Sequence, residues 1–190
     1  MVAGSNPGAR FRGFGRGGNP RPQCGVAWLE GAAAARVAAA AALLVAAAAP
    51  AVAGPQAEIS GLSDLAFGTV TSLASDAVRT ESICVFSNTK TNGYSVTASG
   101  TGTGGAFTLA SGAFRLGYDV EWSDLSGQTT GTLLSPNTAL TGLTSSATVA
   151  TCNKGPATSA SLIVVLRAAS LSSARAGSYS GTLTLLITPQ

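Results

Sequence analysis

Few residues of this sequence could do chemistry. The chain has 3 cysteines and no histidine, so it lacks the side chain that most often acts as general base or metal ligand. Asp119, Glu121 and Asp124 lie close together, as in the carboxylate pair of a glycoside hydrolase. We favour a solvated strand face and loop instead, because nothing else supplies a nucleophile with a base. We therefore expect no catalytic residues, no metal and no cofactor.

An apolar run near the N-terminus predicts export. Val37 to Ala49 is an Ala/Leu/Val run behind Arg36, and Pro50-Ala51-Val52-Ala53 follows it. A basic flank, a short apolar core and a small-x-small site are the three parts of a secretory signal. We predict cleavage after Ala53, with cleavage after Ala57 as the alternative, so that residues 1–53 are leader and 54–190 form one exported domain. The run is too short and too rich in alanine for a good membrane span.

The residues upstream of that run do not fit a signal peptide. Ala9 to Gly18 has the composition of an Arg-Gly-Phe tail, and such tails can bind RNA through charge and stacking. We prefer the interpretation that the start codon is assigned too far upstream, with Val26 or Val37 as the true start. Beyond Gly54 there are six basic and seven acidic residues, so we predict no nucleic-acid binding by the exported part.

Two cysteines remain beyond the leader, Cys84 and Cys152. In the oxidising compartment that an exported chain reaches, an even pair is usually a disulfide. If the stabilisation comes from the lower entropy of the unfolded chain, that bond would add on the order of 4 kcal/mol to the free energy of unfolding. The alternatives are a metal site, which needs more ligands, and a reactive cysteine, which needs a base nearby.

Short alternating segments predict an all-β fold of about eight strands, arranged as a β-sandwich. Ser82 to Phe86 and Tyr94 to Ala98, joined through Asn92-Gly93, predict a hairpin. Ala160 to Ala168 is apolar on both faces, which is typical of a central strand. We also expect one or two strands within Glu58 to Val70.

Two further segments carry expectations of their own. Leu116 to Trp122 alternates cleanly as a single strand, and Leu171 to Gly177 is a connection with room for one helical turn. Tyr94, Tyr118 and Trp122 could stack on a sugar, but aromatic residues in strands usually pack in a core, and we favour that interpretation.

The last stretch of the sequence is its most regular strand. Tyr179, Leu183, Leu185 and Ile187 fall on one face of an extended chain, because side chains in a strand alternate between faces. Pro189 cannot donate to a ladder and should end the strand. An apolar strand of this kind must be covered along its edge. Nothing follows it in the sequence to do so.

The order of motifs along the chain resembles a known family. The motifs are Gly61-Leu62-Ser63-Asp64-Leu65-Ala66-Phe67-Gly68, Cys84-Val85, Gly93-Tyr94-Ser95-Val96, Leu116-Gly117-Tyr118-Asp119-Val120-Glu121-Trp122, Cys152 and Ala176-Gly177-Ser178-Tyr179-Ser180-Gly181-Thr182-Leu183-Thr184. They look like the spore coat protein U family, the subunits of archaic chaperone–usher pili. The resemblance covers nearly all of residues 54–190.

The resemblance implies a fold and a function. It implies an immunoglobulin-like sandwich that lacks its last strand, secreted through the periplasm to a surface fibre or coat. A periplasmic chaperone, and then another pilus subunit placed by an outer-membrane usher, would supply the missing strand. Tyr179, Leu183, Leu185 and Ile187 would line or border the acceptor groove, and the two cysteines match positions where the family tends to place a disulfide.

One feature departs from that family. A subunit that polymerises needs several alternating apolar residues before its first strand, and only Gly54-Pro55-Gln56-Ala57-Glu58 precede Ile59 here. Either Ile59, Leu62 and Leu65 serve as the donor, or this subunit accepts a strand without giving one. The alternative function is a secreted adhesin module that binds carbohydrate or a surface and does not polymerise.

Overall fold

A computed structural model describes the backbone of residues 10–13 and the whole of residues 54–190. The predicted signal peptide and its cleavage site lie outside the described residues. All described residues belong to one of the two units into which the chain divides. Their elements are β1 (Arg10–Gly13), β2 (Ala57–Ser60), β3 (Ala77–Ser87), β4 (Gly93–Ser99), β5 (Thr108–Ser111), β6 (Phe114–Gly117), β7 (Asp119–Ser123), β8 (Thr132–Leu133), β9 (Ala139–Thr144), β10 (Ala160–Leu166), α1 (Ala168–Ser173) and β11 (Thr182–Pro189).

The strands form two sheets and a separate hairpin. One sheet has the order β1-β11-β4-β9, the other has the order β2-β3-β10-β7-β8, and β5 pairs with β6. Neighbours are antiparallel except for β1 and β11, which run parallel. The prediction of an all-β fold is confirmed.

The two sheets pack face to face through alternating apolar residues. Val96 and Leu185 from the first sheet and Val120 and Leu162 from the second belong to one buried cluster. At its centre the indole Nε1 of Trp122 donates a hydrogen bond of 3.2 Å to the Tyr94 hydroxyl. Trp122 and Tyr94 are both almost fully buried, so the two sheets share a polar contact inside an apolar core.

β10 is buried along its whole length because the chain covers both of its faces. It pairs with β3 on one side and with β7 on the other. On its outer face, the Ser161 hydroxyl donates to the Leu125 carbonyl at 2.8 Å and accepts from the Gln128 N–H at 3.0 Å. The loop after β7 is thereby held over the strand. The prediction of a central strand is confirmed.

The hairpin predicted around Asn92-Gly93 is wrong. β3 and β4 flank this turn but lie in different sheets. The turn itself forms: Asn92 has a φ of 53°, and the Gly93 N–H donates to Thr89 Oγ1 at 2.8 Å. The strands face each other across the core instead of pairing at their edges, because each has an apolar face to bury.

Three other segments differ in detail from their sequence patterns. Within Glu58 to Val70, the named strand β2 ends at Ser60, and a loop that starts at Gly61, with a φ of 82°, follows. Leu116 to Trp122 divides into β6, which pairs with β5, and β7, which pairs with β10. The alternation continues across that break and keeps Tyr118 and Val120 buried. The helical turn for which Leu171 to Gly177 had room is present as α1, but it starts earlier, at Ala168, and ends at Ser173.

The predicted disulfide is present. Cys84 on β3 is bonded to Cys152 with a Cα–Cα distance of 5.9 Å, across 68 residues of sequence. Both cysteines are buried in a small cluster with Ala147, and Phe86 packs against it. The bond joins β3 to the loop that follows β9.

Candidate strand-acceptor site

β11 presents one apolar face to the core and a mixed face outward. Leu183 and Leu185 are each 1% exposed, and Ile187 is half-buried against the same cluster. On the outer face Leu186 is 52% exposed. The alternation predicted from the sequence therefore holds, and it brings three of the four predicted groove residues onto one face of one strand.

The two edges of β11 are paired very differently. Along one edge, residues 184–189 pair antiparallel with β4, from Thr184 opposite Ser99 to Pro189 opposite Tyr94. Along the other edge, only residues 182–185 are paired, and they pair in parallel with β1. Within the described part of the chain, no other strand lies on that second edge.

The sequence led us to expect no covering strand after β11, and in the structure it is a strand from the N-terminal part of the chain, β1, that pairs with this edge. Phe11 stands opposite Leu183 and Gly13 opposite Leu185 in the register. The physical reason is general: a row of unpaired backbone N–H and C=O groups is a template for any extended segment within reach. β1 lies within residues 1–53, the part of the chain that the sequence predicts is removed on export.

An apolar cavity lies beyond the N-terminal end of β11. Its volume is about 630 Å³, with the loop from Leu65 to Thr71 on one side and residues 174–179 on the other. Its floor is made by leucines from four places in the chain, namely Leu109, Leu116, Leu166 and Leu171. The sequence pattern did not single these out as a group, because they come together only through the sheet topology.

Tyr179 lies at this cavity rather than on β11. Its ring is half-buried, and its hydroxyl donates to the Arg175 carbonyl at 3.1 Å. The next residue, Ser180, is fixed to the β5–β6 hairpin by a pair of backbone hydrogen bonds with Ala110, of 2.7 and 3.0 Å. The wall formed by residues 174–179 is thus fixed to the β5–β6 hairpin, and β11 begins shortly after it.

The 62–67 segment, whose Leu65 and Phe67 line the opposite wall, is held by two charged side chains of β3. The Ser63 N–H donates to Glu81 Oε1 at 2.7 Å, and the Ser63 hydroxyl bonds the same oxygen. Arg79 donates to the carbonyl of Ala66 at 3.1 Å through Nε and to that of Phe67 at 3.2 Å through Nη2. Its guanidinium carbon also lies 5.7 Å from the centre of the Phe67 ring, within the range of a cation–π contact.

The three carboxylates considered for chemistry are engaged elsewhere. The Arg167 guanidinium donates to Asp119 at 2.6 Å, to Glu121 at 3.0 Å and to Asp76 at 3.0 Å. A hydrogen bond from the Ala168 N–H, and then the one from Arg167, lower the pKa of Asp76 below its usual value. Asp124 lies close to Thr144, which donates to it through its N–H at 3.4 Å.

The aromatic residues considered for sugar stacking belong to the core. Trp122 is 1%, Tyr94 0% and Tyr118 6% exposed. Burial raises the pKa of both tyrosines to about 12. A sugar cannot stack on rings that solvent does not reach, so these side chains cannot form the ligand face of an adhesin without unfolding.

Metal-binding clusters and membrane-spanning helices are both absent from the described residues. No group of three or more metal-ligating side chains lies together there. No helix in that part of the chain has the length and apolarity that a membrane span requires.

Comparisons with known proteins add no relative. A scan against models of protein families found no match, and searches of curated proteins and of solved structures found no significant match. The resemblance to the spore coat protein U family therefore stays a prediction from the sequence.

Proposed function

We propose that this chain is a structural subunit of a surface fibre or coat, assembled by strand addition to β11. In the exported form, which starts at Gly54, β1 is gone and the edge of β11 from Thr182 to Leu185 receives a strand from another polypeptide. A periplasmic chaperone supplies that strand first, and a neighbouring subunit positioned by an outer-membrane usher replaces it. The chain is an immunoglobulin-like domain completed in trans.

One observation carries the proposal. The described residues cover the second edge of β11 with β1 alone, and β1 belongs to the predicted leader. Beyond the N-terminal end of the same strand lies an apolar cavity of about 630 Å³. Backbone hydrogen bonds along an open edge and apolar pockets for alternate side chains are the two requirements of strand addition.

Expression in a periplasm with and without a chaperone of the chaperone–usher class tests the proposal. We expect soluble protein to accumulate mainly when the chaperone is present, and to co-purify with it. Equal yields of a stable monomer in both cases would contradict the proposal.

Two neighbouring substitutions supply a matched comparison. Ile187→Asp places a charge on the face of β11 that contacts the core, and it should abolish recovery of the complex. Leu186→Asp places the same charge on the exposed face of the same strand, where Leu186 is 52% exposed, and it should leave the complex intact. Loss of the complex in both variants would point to a general folding defect.

A further inference from the structure

The apolar cavity has a buried floor. The four leucines that form it, Leu109, Leu116, Leu166 and Leu171, are each at most 8% exposed and belong to the core cluster. Their positions are therefore fixed by the packing around them. At about 630 Å³, the cavity lies within the range of volumes that is typical of small-molecule sites in proteins.

The cavity is separate from the open edge of β11. Along the chain its lining ends at Tyr179, and β11 starts only at Thr182. An occupant of the cavity therefore needs no contact with β11, and the backbone groups of that strand stay available for strand addition. Protein interiors rarely keep voids larger than a water molecule, and large apolar cavities bind apolar ligands. The cavity thus needs an occupant of its own.

The floor of the cavity favours an apolar body in that occupant. Leucine side chains neither donate nor accept hydrogen bonds, and the Tyr179 hydroxyl already donates to the Arg175 carbonyl at 3.1 Å. A polar group of a ligand that lost its water there would lack a partner, which lowers affinity. A hydrocarbon chain meets no such cost and gains from burial against the leucines.

The rim of the cavity favours a negative charge at one end of the occupant. Among the described residues that line the cavity, only Arg175 is charged, and it is exposed. Its guanidinium carbon lies 4.9 Å from the centre of the Phe114 ring. The ion pairs of the described residues all belong to Arg167, so Arg175 has no carboxylate counter-ion there. A guanidinium can bind a carboxylate through two parallel hydrogen bonds.

We propose that this cavity binds a fatty-acid anion, with the hydrocarbon chain among the four floor leucines and the carboxylate at Arg175. The apolar floor and the single cation at an exposed rim complement a molecule that is apolar along its length and negatively charged at one end. The inference goes beyond the proposed function, because it assigns a small ligand to the cavity and not a strand to β11.

Calorimetric titration of the full chain with octanoate, decanoate and dodecanoate, each below its micelle concentration, tests burial of the hydrocarbon chain. Burial of one methylene group strengthens binding about fourfold, so each step of two methylene groups should lower the Kd by about fifteenfold. Equal affinities across the series, or no binding of dodecanoate, would contradict the proposal.

Methyl NMR spectra of the full chain locate the bound ligand. Dodecanoate should shift the methyl resonances of the four floor leucines much more than those of Leu183 and Leu185, which lie on β11 outside the cavity lining. Shifts that are largest at Leu183 and Leu185 would overturn the assignment, because the ligand would then lie at the strand and not in the cavity.

A bulky side chain inside the cavity should compete with the ligand. Ala174 lines the cavity and is half-buried, so Ala174→Phe should weaken dodecanoate binding by about fifteenfold if the ring displaces two methylene groups. Ala169→Phe is the matched control, because Ala169 is exposed on α1 and does not line the cavity. Thermal unfolding without ligand checks that both variants fold. Unchanged affinity in a folded Ala174→Phe variant would refute the site.

Reversing the charge at the rim tests the head group. Arg175→Glu should weaken dodecanoate binding by about tenfold or more, as expected for the loss of a charge-assisted contact. It should strengthen binding of dodecyltrimethylammonium, which joins the same chain to a cationic head. Arg115→Glu makes the same change in net charge on the β5–β6 hairpin outside the cavity lining, and it should keep the preference for dodecanoate. An unchanged preference in Arg175→Glu would exclude Arg175 as the carboxylate-binding residue.

A membrane lipid carries the same combination of acyl chain and anionic head, and a separate measurement distinguishes the two sources. Sedimentation with phosphatidylglycerol vesicles, in a protein that does not bind dodecanoate, would overturn the assignment to a free fatty acid. Failure of the proposed function has a different signature. The exported chain would then bind no chaperone, whereas the titrations with fatty acids need none.

Discussion

β10 and β11 are the longest apolar strands of the two sheets, and they differ in what lies along their edges. β10 has a partner strand on each side and cover on both faces, and all seven of its residues are buried. β11 has a full partner on one side, whereas on the other β1 pairs with only residues 182–185. A strand that is apolar on both faces thus forms the centre of one sheet, and a strand with one apolar face forms the incomplete side of the other.

The difference separates the region that contributes most to stability from the region that we propose binds a strand. The β10 sheet carries the disulfide through β3 and the Arg167 ion pairs. The residues that lead into β11 line the apolar cavity, and Phe67 on its other side accepts a hydrogen bond from Arg79. Elements that must move or exchange partners are drawn from the less stable parts of a protein. The proposed function requires that arrangement.

Removing the disulfide should have the largest effect, and it should not distinguish the two strands. Cys84→Ala with Cys152→Ala opens a loop of 68 residues, so we expect a loss of about 4 kcal/mol in the free energy of unfolding, measured by urea denaturation. A crosslink acts mainly on the unfolded chain, so exchange governed by global unfolding should accelerate throughout the sandwich. Faster amide exchange confined to β11 would show that the disulfide instead stabilises the edge of that strand in the folded state.

Truncating one leucine of β10 and one isoleucine of β11 measures the difference between the strands. Leu162 is 0% exposed, and Leu162→Ala should cost about 3 kcal/mol of unfolding free energy, because the rigid surroundings leave a cavity. Ile187 is half-buried at the incomplete edge, so Ile187→Ala should cost about 1 kcal/mol. Equal losses would mean that the edge is as tightly packed as the centre.

The sequence predicted the parts of this contrast that depend on local patterns. Apolar residues on both faces of Ala160 to Ala168 indicated a central strand, and alternation from Leu183 to Ile187 indicated a strand with one buried face. Both interpretations follow from side-chain periodicity, which the final fold preserves.

The parts that the sequence did not predict depend on which strands meet in space. Asn92-Gly93 specifies a turn but not whether the flanking strands share a sheet. One face of β3 carries an apolar side chain at Ile83 and a charged one at Glu81. The type of residue changes because this face contacts a loop at Glu81 and not the opposite sheet. The pairing of β1 with β11 links residues about 170 positions apart, beyond the range of any local pattern.

Alkaline pH should weaken the closed interior shared by the sheets. Burial raises the pKa of Tyr94 and Tyr118 from 10.0 to about 12. In the unfolded chain these groups lose their protons near pH 10, so the stability they provide is complete below that pH and falls as the pH rises toward 12. Urea denaturation at a series of alkaline pH values should show this decline, and Tyr118→Phe should make it shallower. An identical slope in the variant would contradict the assignment to Tyr118.

Acid should produce the smallest effect, at the outer face of the β10 sheet. The Ala168 N–H and Arg167 lower the pKa of Asp76 from 3.8, so its contribution to stability is complete above that pH and is lost as the pH falls through the lower value in the folded state. Because the Asp76 side chain is 39% exposed, the contribution is small and decreases with salt. Asp76→Asn should flatten the acid limb of the stability profile at low ionic strength and leave amide exchange in β11 unchanged. A change in β11 would mean that the contacts of Asp76 also stabilise the open edge, and that the two regions are coupled.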